Sequence, residues 1–517
     1  MKTKISLFLL LASSAFGASP VFNVVDYGAK NDGSASSTAA IRKAIEACAA
    51  AGGGAVYFPA GTYRTGAIQM VSNLTLDIEA GATVRFEAGP SYYPAEYPLV
   101  KSRYEGVEAI TPAPLIGGEN LQNVTITGRG TLTTDNAEWL KATNNPAGRA
   151  MWQSILQRLE KGETIPEADY RKASPFQRPS FIRPMNSRNI VIEGIHIVGS
   201  SMWTIHILYC ENVVIRNVTV ETYPGVNTDG VDIDSSREVR ISDSFFSTGD
   251  DAICLKSGKD ADGRRVNRLT ENVAITNTTV QHGHGAVVLG SETAGGIRNV
   301  VASNIVSQHT DKGVRIKSTR GRGGVVENIR FDNWIIEDPA GPAIEVTNYY
   351  TRAPEEPASA RTPVFRNFAI SRMTINRAPV AVSIEGLPEM PVSGLRLMDI
   401  VASSKAGLRA FNTVGLEVSN VQIDPSDGPA FLVRNSSQLL MEGVERRTAS
   451  AAPVVRLDDC TGATVRASRM WPGTATLLSE KPGAKEKAVL DAGSRMESDE
   501  DFWKSIASPD RPVVPKK

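Results

Sequence analysis

The chain has 517 residues, 41% of them hydrophobic and 22% charged, enough apolar mass for a large core. Its 56 Lys and Arg balance 56 Asp and Glu. That balance excludes the global field of a nucleic-acid or membrane-surface binder, so a charged ligand must be met by local groups. The four cysteines show no CxxC or metal-type spacing, so neither a disulfide framework nor a thiolate metal site is expected.

The N-terminus reads as a targeting segment spanning residues 1–17. Met1 to Lys4 is basic, Ile5 to Leu11 is apolar, and Ala15 and Gly17 are small residues at the cleavage-defining positions. No other stretch is long and apolar enough to span a bilayer. The expectation is an exported protein, secreted or periplasmic. Next come a strand and turn at Val21 to Gly33. An amphipathic helix follows from Ser37 to Ala51, with Ile41, Ala44, Ile45 and Cys48 on one face.

From Asn73 a phrase recurs: a polar residue, often Asn, then a short strand alternating apolar and polar. It reads NLTLDI at Asn73, NVTITG at Asn123, NIVIEG at Asn189, NVVIRN at Asn212 and EVRISD at Glu238. It goes on at Asn272, Asn299, Asn328 and Asn367, with degraded copies at Gly394, Gly415, Gln438 and Gly462. From Asn189 the step is mostly about 21 to 34 residues, the period of a solenoid. Short strands with no helix between them exclude helical repeats. The fold class is therefore all-β, a parallel β-helix whose open N-terminal end the helix at Ser37 to Ala51 caps. One β-helix domain is expected over residues 18–490. Residues 136–178 interrupt it as a helical insertion, either a rim over the groove or a decoration, and 491–517 form a tail.

Stacking the apolar positions sets a register. Val231 and Ile233 fall over Ile253 and Leu255, so Asp229 falls over Asp251, with Asp250 one place before. Val287 and Leu289 then place His284 over Asp250. Val314 and Ile316 point inward, so Arg315 and Lys317 point out. With coils about 4.8 Å apart, three aspartates, a histidine and two cations share one face within roughly 15 Å. Carboxylates this close cannot ionise independently, which supplies an acid and a base at one pH, as glycosidic cleavage requires. The cations suit a substrate that carries carboxylates. The reading is a hydrolase of an acidic polysaccharide. Acidic residues in solenoids also form turns or bind calcium. Asp232 and Asp234 are given turn and ladder roles, and His206, beside Trp203, that of a packed or hydrogen-bonded histidine. Tyr349 and Tyr350 follow a strand on the same face as Arg315, where one of them can stack on a sugar ring.

NTDGVD (Asn227 to Asp232), GDD (Gly249 to Asp251), GHG (Gly283 to Gly285) and RIK (Arg315 to Lys317) occur in that order. Together they resemble the four motifs of glycoside hydrolase family 28, the polygalacturonases. The resemblance covers Val21 to about Tyr350, nearest the bacterial branch. It implies a right-handed parallel β-helix and an inverting hydrolase of pectic polygalacturonate. It also implies Asp250 as general acid, Asp229 and Asp251 sharing the water as base, and His284 holding the proton balance of Asp250. Arg315 and Lys317 would bind the galacturonate carboxylate, and Asn227 would orient Asp229; by the place of its strand, and not by the resemblance, Tyr349 is added as a substrate-binding residue. The substrate partner would be a plant pectin. No metal, cofactor, nucleic acid or membrane partner is expected, and the protein would be a monomer. Rhamnogalacturonan or xylogalacturonan hydrolysis, a β-helix polyuronide lyase and a non-catalytic glycan-binding solenoid are the alternatives. The insertion at 136–178 walling off one end of the groove would favour exo cleavage.

Overall fold

The computed structural model describes residues 19–88, 95–481, 486–491 and 495–496. The leader expected at residues 1–17 and nearly all of the tail from 491 lie outside the described residues. The cap is helix α1 (Thr38–Ala50), which buries Ile41, Ala44, Ile45 and Cys48 against the first coil, one residue short of the expected span at each end.

The repeats form one continuous parallel ladder in which each coil pairs with the next, the architecture of a right-handed parallel β-helix. The register follows the apolar alternation. Ile190 pairs with Val213 and Ile192 with Ile215, then Val213 with Val239 and Ile215 with Ile241, all buried. Further along, Val300 and Ala302 lie over Ile329 and Phe331. The recurring asparagine has a physical cause. Asn73, Asn123, Asn189, Asn212, Asn272, Asn299, Asn328 and Asn367 all adopt φ between 54° and 60°. Asparagine tolerates this left-handed bend better than other residues that carry a Cβ. Their side chains also form a ladder: from Asn123 on, each amide donates to the asparagine of the coil before, except Asn272, which donates to Glu238. Nδ2 of Asn299 lies 3.0 Å from Oδ1 of Asn272, and that of Asn328 lies 3.0 Å from Oδ1 of Asn299. The same residue therefore turns the chain and ties one coil to the next. All four cysteines are buried and free.

Two departures from the ladder build a wall. Strands β1 (Leu99–Tyr104) and β2 (Val107–Pro112) form an antiparallel hairpin that the repeat pattern did not reveal. Its two-residue turn is Glu105-Gly106, both at positive φ, the geometry that matches strand twist. A Cβ on Gly106 would come within 2.6 Å of Glu292 and 2.8 Å of Lys259, so glycine lets the turn dock on a later coil. The insertion is helical: α2 (Asn136–Thr143), α3 (Pro146–Glu160) and α4 (Glu167–Ala173). Asp135 and Asn145 cap the first two, and Pro146 opens α3, where a missing N–H costs nothing. Trp152, Ile155, Ile165 and Ala173 pack against Tyr104, Val107 and Ala109 of the hairpin and against Met202 and Trp203 of the solenoid. Among the described residues no helix is long and apolar enough to cross a membrane.

The groove face is a run of short parallel strands, one per coil. They are β3 (Ile182–Met185), β4 (Ile205–Leu208), β5 (Val231–Asp234), β6 (Ile253–Lys256), β7 (Val287–Leu289), β8 (Val314–Lys317) and β9 (Pro342–Thr347).

Candidate active site

The expected register is the observed one. Val231 pairs with Ile253 and Ile233 with Leu255. Ile253 then pairs with Val287, and Val287 with Val314. The turns entering β5, β6 and β7 are zipped together: Gly230 N donates to Asp251 O at 3.0 Å, and His284 N to Asp250 O at 3.0 Å. Gly249 is required by close approach, because a Cβ there would lie 1.9 Å from Gly225 O. The ladder thus brings Asp229, Asp250, Asp251, His284, Arg315 and Lys317 to one wall.

Their surroundings differ. Asp250 and His284 face the groove, with side chains 18% and 49% exposed, and His284 Nδ1 lies 3.0 Å from Asp250 Oδ1. Burial pushes the Asp250 carboxyl up, but the hydrogen bond and charge of His284, with Lys317 and Lys256 behind, hold it below the usual range. The same hydrogen bond holds the imidazole above its ordinary value. Asp229 and Asp251 are buried. Lys317 Nζ donates to Asp251 Oδ2 at 2.7 Å. Burial, reinforced by Asp232 and Asp250, pushes Asp229 well above the usual range, and Lys256 opposes this. Asp229, Asp251 and Cys254 each bring one donor atom within 4.8 Å of the others. The positive charge beside them is already that of Lys256 and Lys317, at 3.7 Å from Asp229 and 2.7 Å from Asp251.

Arg315 is held in place, its Nε donating to Glu345 Oε2 at 2.8 Å. The ring nearest the two cations is that of Tyr350, 5.4 Å below Arg315 and 5.0 Å below Lys317. Tyr349, the tyrosine chosen from the sequence, lies under Arg320 at 5.3 Å. The residues alternate across the chain, so only the backbone path decides which ring meets the groove cations. The amide oxygen of Asn227 accepts from Arg178 Nη2 at 2.8 Å, which ties the turn before Asp229 to the end of the insertion.

Asp232 and Asp234 are strand residues of the ladder rather than turn residues, and both are fully buried. Asp234 receives Arg103 Nη1 from the hairpin at 2.5 Å and lies 3.4 Å from His206 Nε2. Burial raises its carboxyl, but Arg103 and His206 outweigh this and lower it. Asp232 lies between His206 and Cys254 in the ladder, with Lys256 Nζ 3.4 Å away. Period-2 alternation told which side of the sheet they occupy, but not that the hairpin and Trp203 cover that side. His206 is, as read, a packed and hydrogen-bonded histidine, and Ser180 Oγ lies 3.3 Å from its Nδ1.

A cavity of about 450 Å³ adjoins Asn227, bounded by the hairpin turn at Tyr104 and Glu105, by Arg149 and Trp152 of α3, and by Arg178.

Comparison with known proteins agrees with this geometry. Residues 48–405 match the family model for glycosyl hydrolases family 28. The chain is 30% identical over 382 residues to an exo-poly-α-D-galacturonosidase of Dickeya chrysanthemi, a match covering 69% of this chain and 62% of that protein, less than two thirds of its length. It is 29% identical over 385 residues to a probable polygalacturonase of Vitis vinifera, covering 73% of each. Among solved structures it resembles a hyperthermoactive exopolygalacturonase from Thermotoga maritima. The TM-score is 0.72 and the identity 30%, with 79% of this chain and 92% of that chain covered.

Proposed function

The chain belongs to glycosyl hydrolase family 28, and from that premise we propose that it hydrolyses the α-1,4-galacturonosidic bonds of polygalacturonate with inversion, working from a chain end. The observation that carries this is the meeting of three carboxyl groups from two adjacent coils with Lys317 and Arg315 from the next but one. Asp250, at the groove surface with His284, protonates the leaving oxygen. Asp229 and Asp251, deeper in the wall, take a proton from the attacking water. The substrate is itself an anion, and its carboxylate approaching Asp250 raises the proton affinity of that group. The proton that His284 holds at rest is then the one Asp250 donates. Arg315 and Lys317 meet the galacturonate carboxylate, and the Tyr350 ring beneath them supplies an apolar face for the sugar.

The exo reading is supported by the wall of β1, β2, α2 and α3, which bounds the cavity beside Asn227. The named relatives from Dickeya chrysanthemi and Thermotoga maritima are also exo-acting by their descriptions. The order of basic, apolar and small residues in 1–17 supports export, and the exported protein is proposed to act as a single-domain monomer. Sequencing the N-terminus of protein recovered outside the cytoplasm should begin at Ala18, and light scattering should return one chain's mass.

The deciding measurement is a product time course on polygalacturonate, read by chromatography with and without chelator. Monogalacturonate from the first time point, at a rate unchanged by chelator, is expected. A ladder of oligomers would remove the exo reading. Unsaturated, ultraviolet-absorbing ends that vanish with chelator would replace the hydrolase with a lyase.

A further inference from the structure

Behind Asp229 lies a group of charges to which the mechanism above gives no part. Lys256 ends β6 with its ammonium turned to the groove side, yet the residue is only 4% exposed. Its Nζ lies 3.3 Å from Glu292 Oε2, 3.4 Å from Asp232 Oδ1 and 3.7 Å from Asp229 Oδ2. The Trp203 ring closes the remaining side at 4.5 Å. Burial works against the ammonium, but Cys254, Glu292, Asp232 and Asp229 outweigh it and keep it protonated.

The two base carboxylates are served unequally. Asp251 has its own ammonium, Lys317, at 2.7 Å. The one cation in contact with Asp229 among the described residues is Lys256, which it shares with two other carboxyl groups. Oδ1 of Asp229 and both oxygens of Asp232 are buried without a hydrogen-bond partner. Around Asp229 stand Asp232 on the strand it leads into, Asp250, Asp251, Cys254 and Lys256 on the next coil, and Glu292 beyond. On the preceding coil is His206, paired with Asp234. An unpaired buried carboxyl keeps its proton, and a base that keeps its proton cannot accept one from water.

Resting on the hydrolytic reading above, we propose that Lys256 is a positioning residue for the reaction: its buried ammonium is the counter-ion that favours the anion of Asp229, and Glu292 and Asp232 compete for that charge and so set how strongly Asp229 takes a proton. In the attack, the water oxygen bonds to the anomeric carbon as its O–H bond breaks and the proton passes to Asp229. The glycosidic C–O bond breaks, and its oxygen takes the proton of Asp250. Lys256 keeps its own proton throughout.

Two substitutions move Asp229 in opposite directions. Lys256→Met keeps the volume and removes the charge, so the acidic limb of the kcat/KM profile should move to higher pH by about one unit or more. At the optimum kcat should fall about 10-fold or more, with KM within about threefold. Glu292→Gln removes a competing anion and gives Asp229 a larger share of the ammonium, so the same limb should move to lower pH. Lys256→Arg restores the charge and should bring the limb back toward the wild type. A merely structural role would lower activity in all three and leave the limbs in place, which would overturn the proposal. So would a rise in KM with kcat unchanged, which would mean that Lys256 touches substrate. If Lys256→Met does not fold, the sign of the Glu292→Gln shift decides. The Asp229 carboxyl of the free enzyme, followed by 13C NMR and assigned with Asp229→Asn, should titrate lower in Glu292→Gln than in wild type. A wild type inactive on polygalacturonate would sink the functional reading alone, because that titration still reports whether the charges around Lys256 govern Asp229.

Discussion

Asp250→Asn should lower kcat on polygalacturonate by about 100- to 10,000-fold while KM stays within a few-fold, since a general acid contributes on that order and acts only in the transition state. The amide keeps the shape and a hydrogen bond to His284 but has no proton to give. A galacturonide with a good leaving group, which needs no proton, should therefore recover much of the lost rate. Equal loss on both substrates would mean that the substitution damaged the wall rather than the acid. The pH profile carries a second signature. Asp250 and His284 share one proton at rest, held on the imidazole, whose affinity the hydrogen bond raises above the ordinary 6.5. Activity should then decline as pH rises through that raised value. In His284→Gln the carboxyl must hold its proton unaided, so the alkaline limb should move to lower pH.

The second large effect is on stability. Arg103 and Asp234 form an ion pair whose side chains are both 0% exposed, and Arg103 also donates to Ser235 Oγ at 2.8 Å and lies 4.8 Å from the centre of the Tyr209 ring. Removing one partner leaves a charge buried without its counter-ion. Arg103→Met should cost about 3–5 kcal/mol, read as a lower denaturant midpoint. Asp234→Asn added to it removes the stranded charge and should return a large part of the loss. Additive losses in the double variant would show that the two groups do not depend on each other. The pair pins the hairpin to the coil that carries Asp229, so a loosened hairpin should also admit oligomeric products in the polygalacturonate time course.

The origins of these expectations differ. Asp250, Asp251, Asp229 and His284 were legible because a solenoid converts sequence offset into position: one alternating strand per coil, each paired in register with the next. Once Val231 was set over Ile253 and Val287, the acids followed. Arg315 and Lys317 followed by the same rule. Lys256 was just as readable as a groove-side residue, but its partner Glu292 lies in a turn that no repeat pattern positions, so the charge cluster was not.

The amino-acid order alone determined the repeat, the face each strand residue takes and the alignment of the four motifs, because these depend on local alternation and on asparagine's tolerance of a left-handed turn. The covering of that face was decided only in three dimensions. Arg103 meets Asp234 across 131 positions, and the hairpin and helices turn what alternation marks as an outer surface into a dry wall. Whether an outward aspartate is solvated or buried depends on what lies on top of it, and that partner comes from a distant, non-repeating part of the chain.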